Sequence, residues 1–156
     1  MQIIRVGAPS PVTAIYTSTK SPEPEIRFDP DRPIDQILAQ QGHFVLEDLR
    51  FQTGSSTLGE GPFDSLRLLA EFLKSHPEKH ATLVGHTDAE GSLSGNIALS
   101  KKRARSVKAR LVSQYNIPSD QISAEGNGYL SPRSTNETED GRTKNRRVEV
   151  ILTSTR

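Results

Sequence analysis

Two apolar patterns of helical period, separated by a short apolar run and followed by an alternating one, restrict this chain to a fold in which helices and strands take turns. Phe63, Leu66, Leu69, Ala70 and Leu73 recur at spacings of three and four, which puts them on one face of a helix that Pro77 stops. Pro62 is expected in the first turn of that helix, where a missing N–H removes no bond. The run "HATLVGHT" is mostly apolar and reads as a central strand. A longer helix opens near Ser92, a good N-cap, and runs to about Tyr115, with Leu93, Ile97, Ala104, Val107 and Leu111 on one side. A strand is expected around Ile122. After the polar stretch "LSPRSTNETEDGRTKN", "RRVEVILT" places Val148, Val150 and Leu152 on one face of a last strand. With "FVLEDLRF" read as the first strand, the order is β-α-β-α-β-β, with a loop or a short helix before the last strand. That order predicts an α+β sandwich with helices packed on a mixed four-stranded sheet.

The chain has 156 residues, enough for one domain with a real core and too few for two comfortable ones. Aromatics make up only 5%, so the core is aliphatic. Six prolines (Pro9, Pro11, Pro22, Pro24, Pro30, Pro33) lie among β-prone pieces near the start. Residues 1–43 therefore read as an extended arm or linker carrying an added edge strand or the short helix "IDQILAQQ", and 44–156 as the domain. An exposed arm strand is also a site for pairing with a second copy, so a homodimer belongs among the expectations. With no cysteine, disulfides and thiolate metal sites are excluded. No segment approaches the roughly 18 apolar residues of a membrane helix, and "MQIIRVGAPSPVTAIYTSTK" lacks the form of a secretory signal. The chain reads as soluble, or as a domain excised from a protein whose targeting segment lies elsewhere.

Asp88 follows "TLVG" where the second strand should leave the sheet, and Arg103 borders the apolar stripe of the long helix beside Asn96, Leu99 and Ser100. Two readings stand. In one, Asp88 and Arg103 form a structural ion pair or Asp88 caps its own turn. In the other, both face a shared cleft: the planar Arg103 fork takes a ligand carboxylate and Asp88 takes an ammonium, which suits a zwitterion.

The blocks "FQTGSSTL", "VGHTDAEGSLSGNIALSKKRARSV", "ISAEGNGYLSP" and "NRRVEVIL" follow one another in this chain. Over about residues 44–153 they resemble the OmpA-like peptidoglycan-binding domain, shared with peptidoglycan-associated lipoproteins and MotB. The resemblance implies binding of meso-diaminopimelate in the cell-wall stem peptide, a periplasmic location, no cofactor and no metal. It puts the family's key aspartate on Asp88 and its key arginine on Arg103. Thr87, Asn96 and Leu99 match positions lining the pocket, and Thr53, Gly54 and Ser55 match the loop after the first strand. Asn145 and Arg146 begin the last-strand motif, where they either border the site or serve the structure. Some members carry an acidic residue where this chain reads "QTGSS".

Catalysis has little support in the residues. His86 and Asp88 would start a metal site or a general-base pair, but no third ligand follows at helical spacing and no nucleophile elbow is visible. The run "KKRARSVKAR" carries six basic residues in ten. Net charge is only +1 and aromatics for stacking are few, so nucleic acid is not an expected partner. Lys101, Arg105 and Lys108 read instead as a solvated helix face.

Overall fold

The computed structural model describes residues 33–154. The proline-rich stretch read as an arm lies, up to residue 32, outside them. Helix α1 (Ile34–Gln41) leads into strand β1 (His43–Val45), followed by α2 (Asp64–Ser75), β2 (Ala81–Gly85), α3 (Leu93–Tyr115), a 3-10 turn at Ser119–Gln121, β3 (Ile122–Gly126), α4 (Glu139–Asn145) and β4 (Val148–Leu152). The strands form one sheet in the order β1-β4-β2-β3. β4 runs antiparallel to both β1 and β2, with Val150 opposite Phe44 on one side and Leu83 on the other, whereas β2 and β3 are parallel. The mixed sheet and α+β sandwich agree with the reading of the sequence.

One face of the sheet carries Phe44, Ala81, Leu83, Ile122, Val148 and Val150, all buried against apolar residues of α2 and α3. The other face, with His43, Ser123, Glu125 and Ile151, is open to solvent. This is the alternation expected of a sheet covered on one side. Ile34, Ile37 and Leu38 of α1 belong to the same core, so this helix packs as part of the domain although it precedes residue 44. It ends at Gly42, whose φ of 78° is a left-handed conformation that glycine takes without a Cβ clash.

Two local expectations are corrected. The first strand stops at Val45, because Glu47 and Asp48 turn and Leu49 N–H bonds back to Leu46 O at 3.2 Å. Pro62 lies before α2 and not in its first turn, since Phe63 is the N-cap residue. Phe63 has no side-chain acceptor, and Asp48 supplies it from afar by taking the Ser65 N–H at 3.1 Å and the Ser65 hydroxyl. The polar stretch after β3, read as a loop or a short helix, is helical in part and forms α4, with Thr138 as a side-chain N-cap to Gly141 N–H.

Both ends of the described domain lie together. Thr153 and Ser154 donate their N–H groups to His80 O, just before β2 begins. Pro33 sits with Ser75 and His76 around a depression of about 220 Å³ at the end of α2. The exit of β2, at Gly85, is at the opposite end of the sheet.

Candidate functional site

Gly85 and Gly126 bring α3 onto the sheet at the exits of β2 and β3. A Cβ on Gly85 would lie 1.9 Å from Ser100 O, and one on Gly126 would lie 2.5 Å from Ser100 Oγ. That close approach selects which face of α3 is buried. Asn96, Ser100, Arg103, Ala104, Val107 and Leu111 form the buried line. Ile97, expected in the core, is 37% exposed. The small hydroxyl of Ser100 fits where a branched side chain does not, and it accepts Gly128 N–H at 2.9 Å.

Beyond Gly85 the chain is held by its own polar groups. Thr87 N–H donates to Gly128 O at 2.9 Å, and its hydroxyl donates to Asp88 O at 2.8 Å. Asp88 Oδ1 accepts Glu90 N–H at 3.1 Å, so the aspartate does cap its own turn. Asn96 Nδ2 donates to Glu90 O at 2.7 Å and Ser92 O at 2.8 Å, fixing the connection into α3.

Arg103 is fully buried, not at a border. Its guanidinium lies over the Phe51 ring, 5.2 Å from the centroid. Nε donates to Ser55 O at 2.8 Å, Nη1 to His86 O at 3.1 Å and Nη2 to Gln52 O at 3.0 Å. Burial pushes its pKa down to about 10; Asp88 opposes this and Arg146 adds to it. All three acceptors are neutral carbonyls. Farther along α3, the Ser106 hydroxyl holds Ser56 O at 2.8 Å and Arg110 Nη2 holds Gly59 O at 2.8 Å. The β1–α2 connection is thus fastened to the helix by its carbonyl oxygens.

The ion-pair partner of Asp88 is Arg146, not Arg103. Arg146 Nη1 lies 2.8 Å from Asp88 Oδ2 and both side chains are buried. Arg146 Nε donates to Phe51 O at 3.1 Å, and Nη2 reaches Glu139 Oε1 at 2.6 Å and Thr143 Oγ1 at 3.0 Å. Burial lowers the pKa of Arg146, but its bonds to Glu139 and Asp88 outweigh this and the net shift is upward. Glu139 is exposed, and its carboxyl is held below the usual range first by the hydrogen bond from Arg146. The spacing Glu139–Thr143–Arg146, four then three, places these side chains on one face once the polar stretch is taken as a short helix rather than a loop.

Of the residues singled out in the sequence, Thr87, Asp88, Asn96, Arg103, Ser55 and Arg146 are linked through this bond network at one end of the sheet. Leu99 is half-buried, and Thr53 and Gly54 are exposed in the connection that Arg103 grips. Asn145 faces elsewhere: its Oδ1 accepts Arg133 N–H at 2.9 Å and Ser134 N–H at 3.0 Å, and its Nδ2 donates to Ser134 O at 2.9 Å. It shapes the 133–136 loop. His86 is buried with Nε2 3.4 Å from Glu149 Oε2. Burial, then Arg147, pushes its pKa down to about 4 against the pull of Glu149, so the ring is neutral near pH 7. Among the described residues, no three His, Asp or Glu side chains are grouped to hold a metal.

Residues 50–146 match the OmpA family model. Outer membrane porin F of Pseudomonas aeruginosa is 36% identical over 103 residues, which are 66% of this chain and 29% of the porin. The peptidoglycan-binding protein ArfA of Mycobacterium tuberculosis is 36% identical over 104 residues, 67% of this chain and 32% of ArfA. This chain therefore spans less than a third of the length of either protein. Among solved structures, the peptidoglycan-associated lipoprotein from Burkholderia pseudomallei superposes with a TM-score of 0.64 at 27% identity, covering 80% of this chain and 97% of that one. With the family model matched over residues 50–146 and the fold shared with that structure, the chain belongs to the OmpA family.

Proposed function

We propose that this domain binds peptidoglycan without catalysing a reaction, through the meso-diaminopimelate of the stem peptide, and so holds whatever it is joined to against the cell wall in the periplasm. The observation that carries this reading is the charge balance of the site. Arg146 is paired twice, with the buried Asp88 and the exposed Glu139, whereas the equally buried Arg103 is bonded by no carboxylate. Buried charges are normally paired, because burial removes the hydration that stabilises them. Arg103 has only neutral acceptors, so a carboxylate brought by a ligand is the partner its charge favours. Asp88 uses one oxygen for Arg146 and the other for Glu90 N–H. Each carboxylate oxygen has a second lone pair, which leaves acceptor capacity for an ammonium.

The free end of diaminopimelate carries both groups on one carbon. Its carboxylate would exchange with Gln52 O and Ser55 O on the Arg103 fork, so binding shifts the Gln52–Ser55 connection while its ammonium meets Asp88. That ArfA is a peptidoglycan-binding protein and the Burkholderia protein a peptidoglycan-associated lipoprotein supports the same ligand class. One observation favours a second reading, a scaffold module with no ligand: the three bonds of Arg103 already serve the fold.

Calorimetric titration with a diaminopimelate stem peptide, beside the same peptide amidated at the free carboxylate of the diaminopimelate, separates the two. Binding that is lost on amidation is expected. A folded protein that releases no heat with either peptide, and does not sediment with sacculi, would leave the scaffold reading standing.

A further inference from the structure

Arg146 bridges two carboxylates of opposite exposure. Its side chain is 7% exposed, as is expected of a fixed element, and the Asp88 side chain on its inner arm is 5% exposed. The Glu139 side chain on its outer arm is 63% exposed. That outer carboxylate is gathered by three donors: Arg146 Nη2 at 2.6 Å, Thr143 Oγ1 at 3.2 Å and Arg142 Nε at 3.3 Å. Arg142 Nη1 also donates to Asn136 O at 2.9 Å, its Nε lies 3.7 Å from Glu90 Oε2, and Arg146 Nε donates to Phe51 O at 3.1 Å, so both guanidinium groups are held in place without Glu139.

We propose that Arg146, Thr143 and Arg142 form a second carboxylate subsite beside Asp88, and that Glu139 is its built-in, displaceable occupant. The inference rests on the peptidoglycan reading for its natural ligand, a stem peptide carrying a further carboxylate, and on geometry alone for the subsite. The inner and outer arms differ in how readily they exchange. Breaking the buried Asp88–Arg146 pair strands a charge away from water. Releasing Glu139 returns an exposed carboxylate to solvent, which costs little. An incoming carboxylate therefore replaces Glu139 and leaves Asp88 where it is, with one guanidinium coupling the ligand's anion to the aspartate that meets its ammonium. Glu139 acts as an internal competitor whose effective concentration is set by its own short tether.

Two titrations of the 156-residue chain test this. In the first, glutarate is added to wild-type protein and to Glu139→Gln, and the Thr143 amide and the Arg142 and Arg146 Nε–H resonances are followed by NMR. The variant is expected to respond at a glutarate concentration about two- to fivefold lower, the scale of removing one exposed ion pair. Adding Thr143→Val should cancel much of the gain. Equal response in wild type and variant, or shifts confined to other residues, overturns the subsite whether or not the protein binds cell wall. In the second, a diaminopimelate stem peptide with all carboxylates free is compared with one keeping only the carboxylate of the free end. Glu139→Gln should tighten the first and leave the second unchanged. Weaker binding of both by the variant would make Glu139 a ligand-ammonium contact and overturn its role as competitor. Absence of stem-peptide binding together with a positive glutarate response would remove the peptidoglycan reading and keep the subsite.

Discussion

Arg103 Nη1 donates to the main-chain oxygen of His86 across 3.1 Å, tying the middle of α3 to the residue at which β2 leaves the sheet. The same fork holds Gln52 and Ser55, so three segments distant in sequence meet on one side chain. Arg103→Lys keeps the charge, but an ammonium on a flexible stem cannot serve three carbonyls in this planar arrangement. Each buried carbonyl left unpaired costs about 1–3 kcal/mol, so the variant is expected to lose about 2–5 kcal/mol in urea denaturation. An unchanged unfolding midpoint would show that these bonds are replaced without loss.

Asp88→Asn and Arg146→Gln each strand one member of a buried pair. Each is expected to lower stability by about 2–4 kcal/mol, and the double variant by clearly less than their sum. Additive losses would mean that the 2.8 Å contact carries no coupling energy. Asp88→Asn should also weaken stem-peptide binding at least about tenfold, the scale of one charge-assisted bond.

Gly85→Ala forces a methyl carbon to within 1.9 Å of Ser100 O, main chain that cannot rotate away, so α3 must lift from β2. A loss of about 3 kcal/mol or more is expected. Gly59→Ala, where the nearest atom is 3.8 Å away on Phe63, is the control and should stay within about 0.5 kcal/mol of the parent. Melting curves of the two variants decide it.

His86 supplies a pH dependence. Its pKa is about 4 when folded against 6.5 for the ordinary imidazole, so between those values the unfolded chain binds the proton and the folded chain does not. The contribution is complete above about pH 6.5 and lost as pH falls to about 4, roughly 3 kcal/mol across the window. Burial dominates; Arg147 and Arg133 add to it and Glu149 opposes it. Urea midpoints measured between pH 7.5 and 4 should fall with this profile, and His86→Gln should flatten it.

The elements that were legible in the sequence are those whose signal is local. Leu66, Leu69, Ala70 and Leu73 are buried along α2 as their spacing requires, and Val148 and Val150 alternate inward on β4. What escaped depends on pairs far apart in the chain. Asp48 completes the start of α2 from 17 residues away, which turns the apparent strand "FVLEDLRF" after its third residue of pairing. The partner of Asp88 lies 58 residues on, in a run that reads equally well as the start of a strand. The burial of Asn96 and Ser100 in place of Ile97 follows from two glycines on neighbouring strands, which a wheel drawn for α3 alone does not contain. The sequence thus disclosed Thr87, Asp88, Asn96, Arg103 and Arg146 at the exit of β2, while the place of Glu139 and Thr143, and the partner of Asp88, required the tertiary contacts.

Pro33 lies by His76 and Ser154 bonds His80, and Asp88 lies past the other end of β2. A pull between a molecule held at Asp88 and a polypeptide joined at either terminus therefore runs along the strands, across hydrogen bonds that lie perpendicular to them. The central ladder of β2 with β4 is then loaded in shear, all rungs together, and cannot be unzipped one at a time. In mechanical terms the domain is strung in its tougher direction.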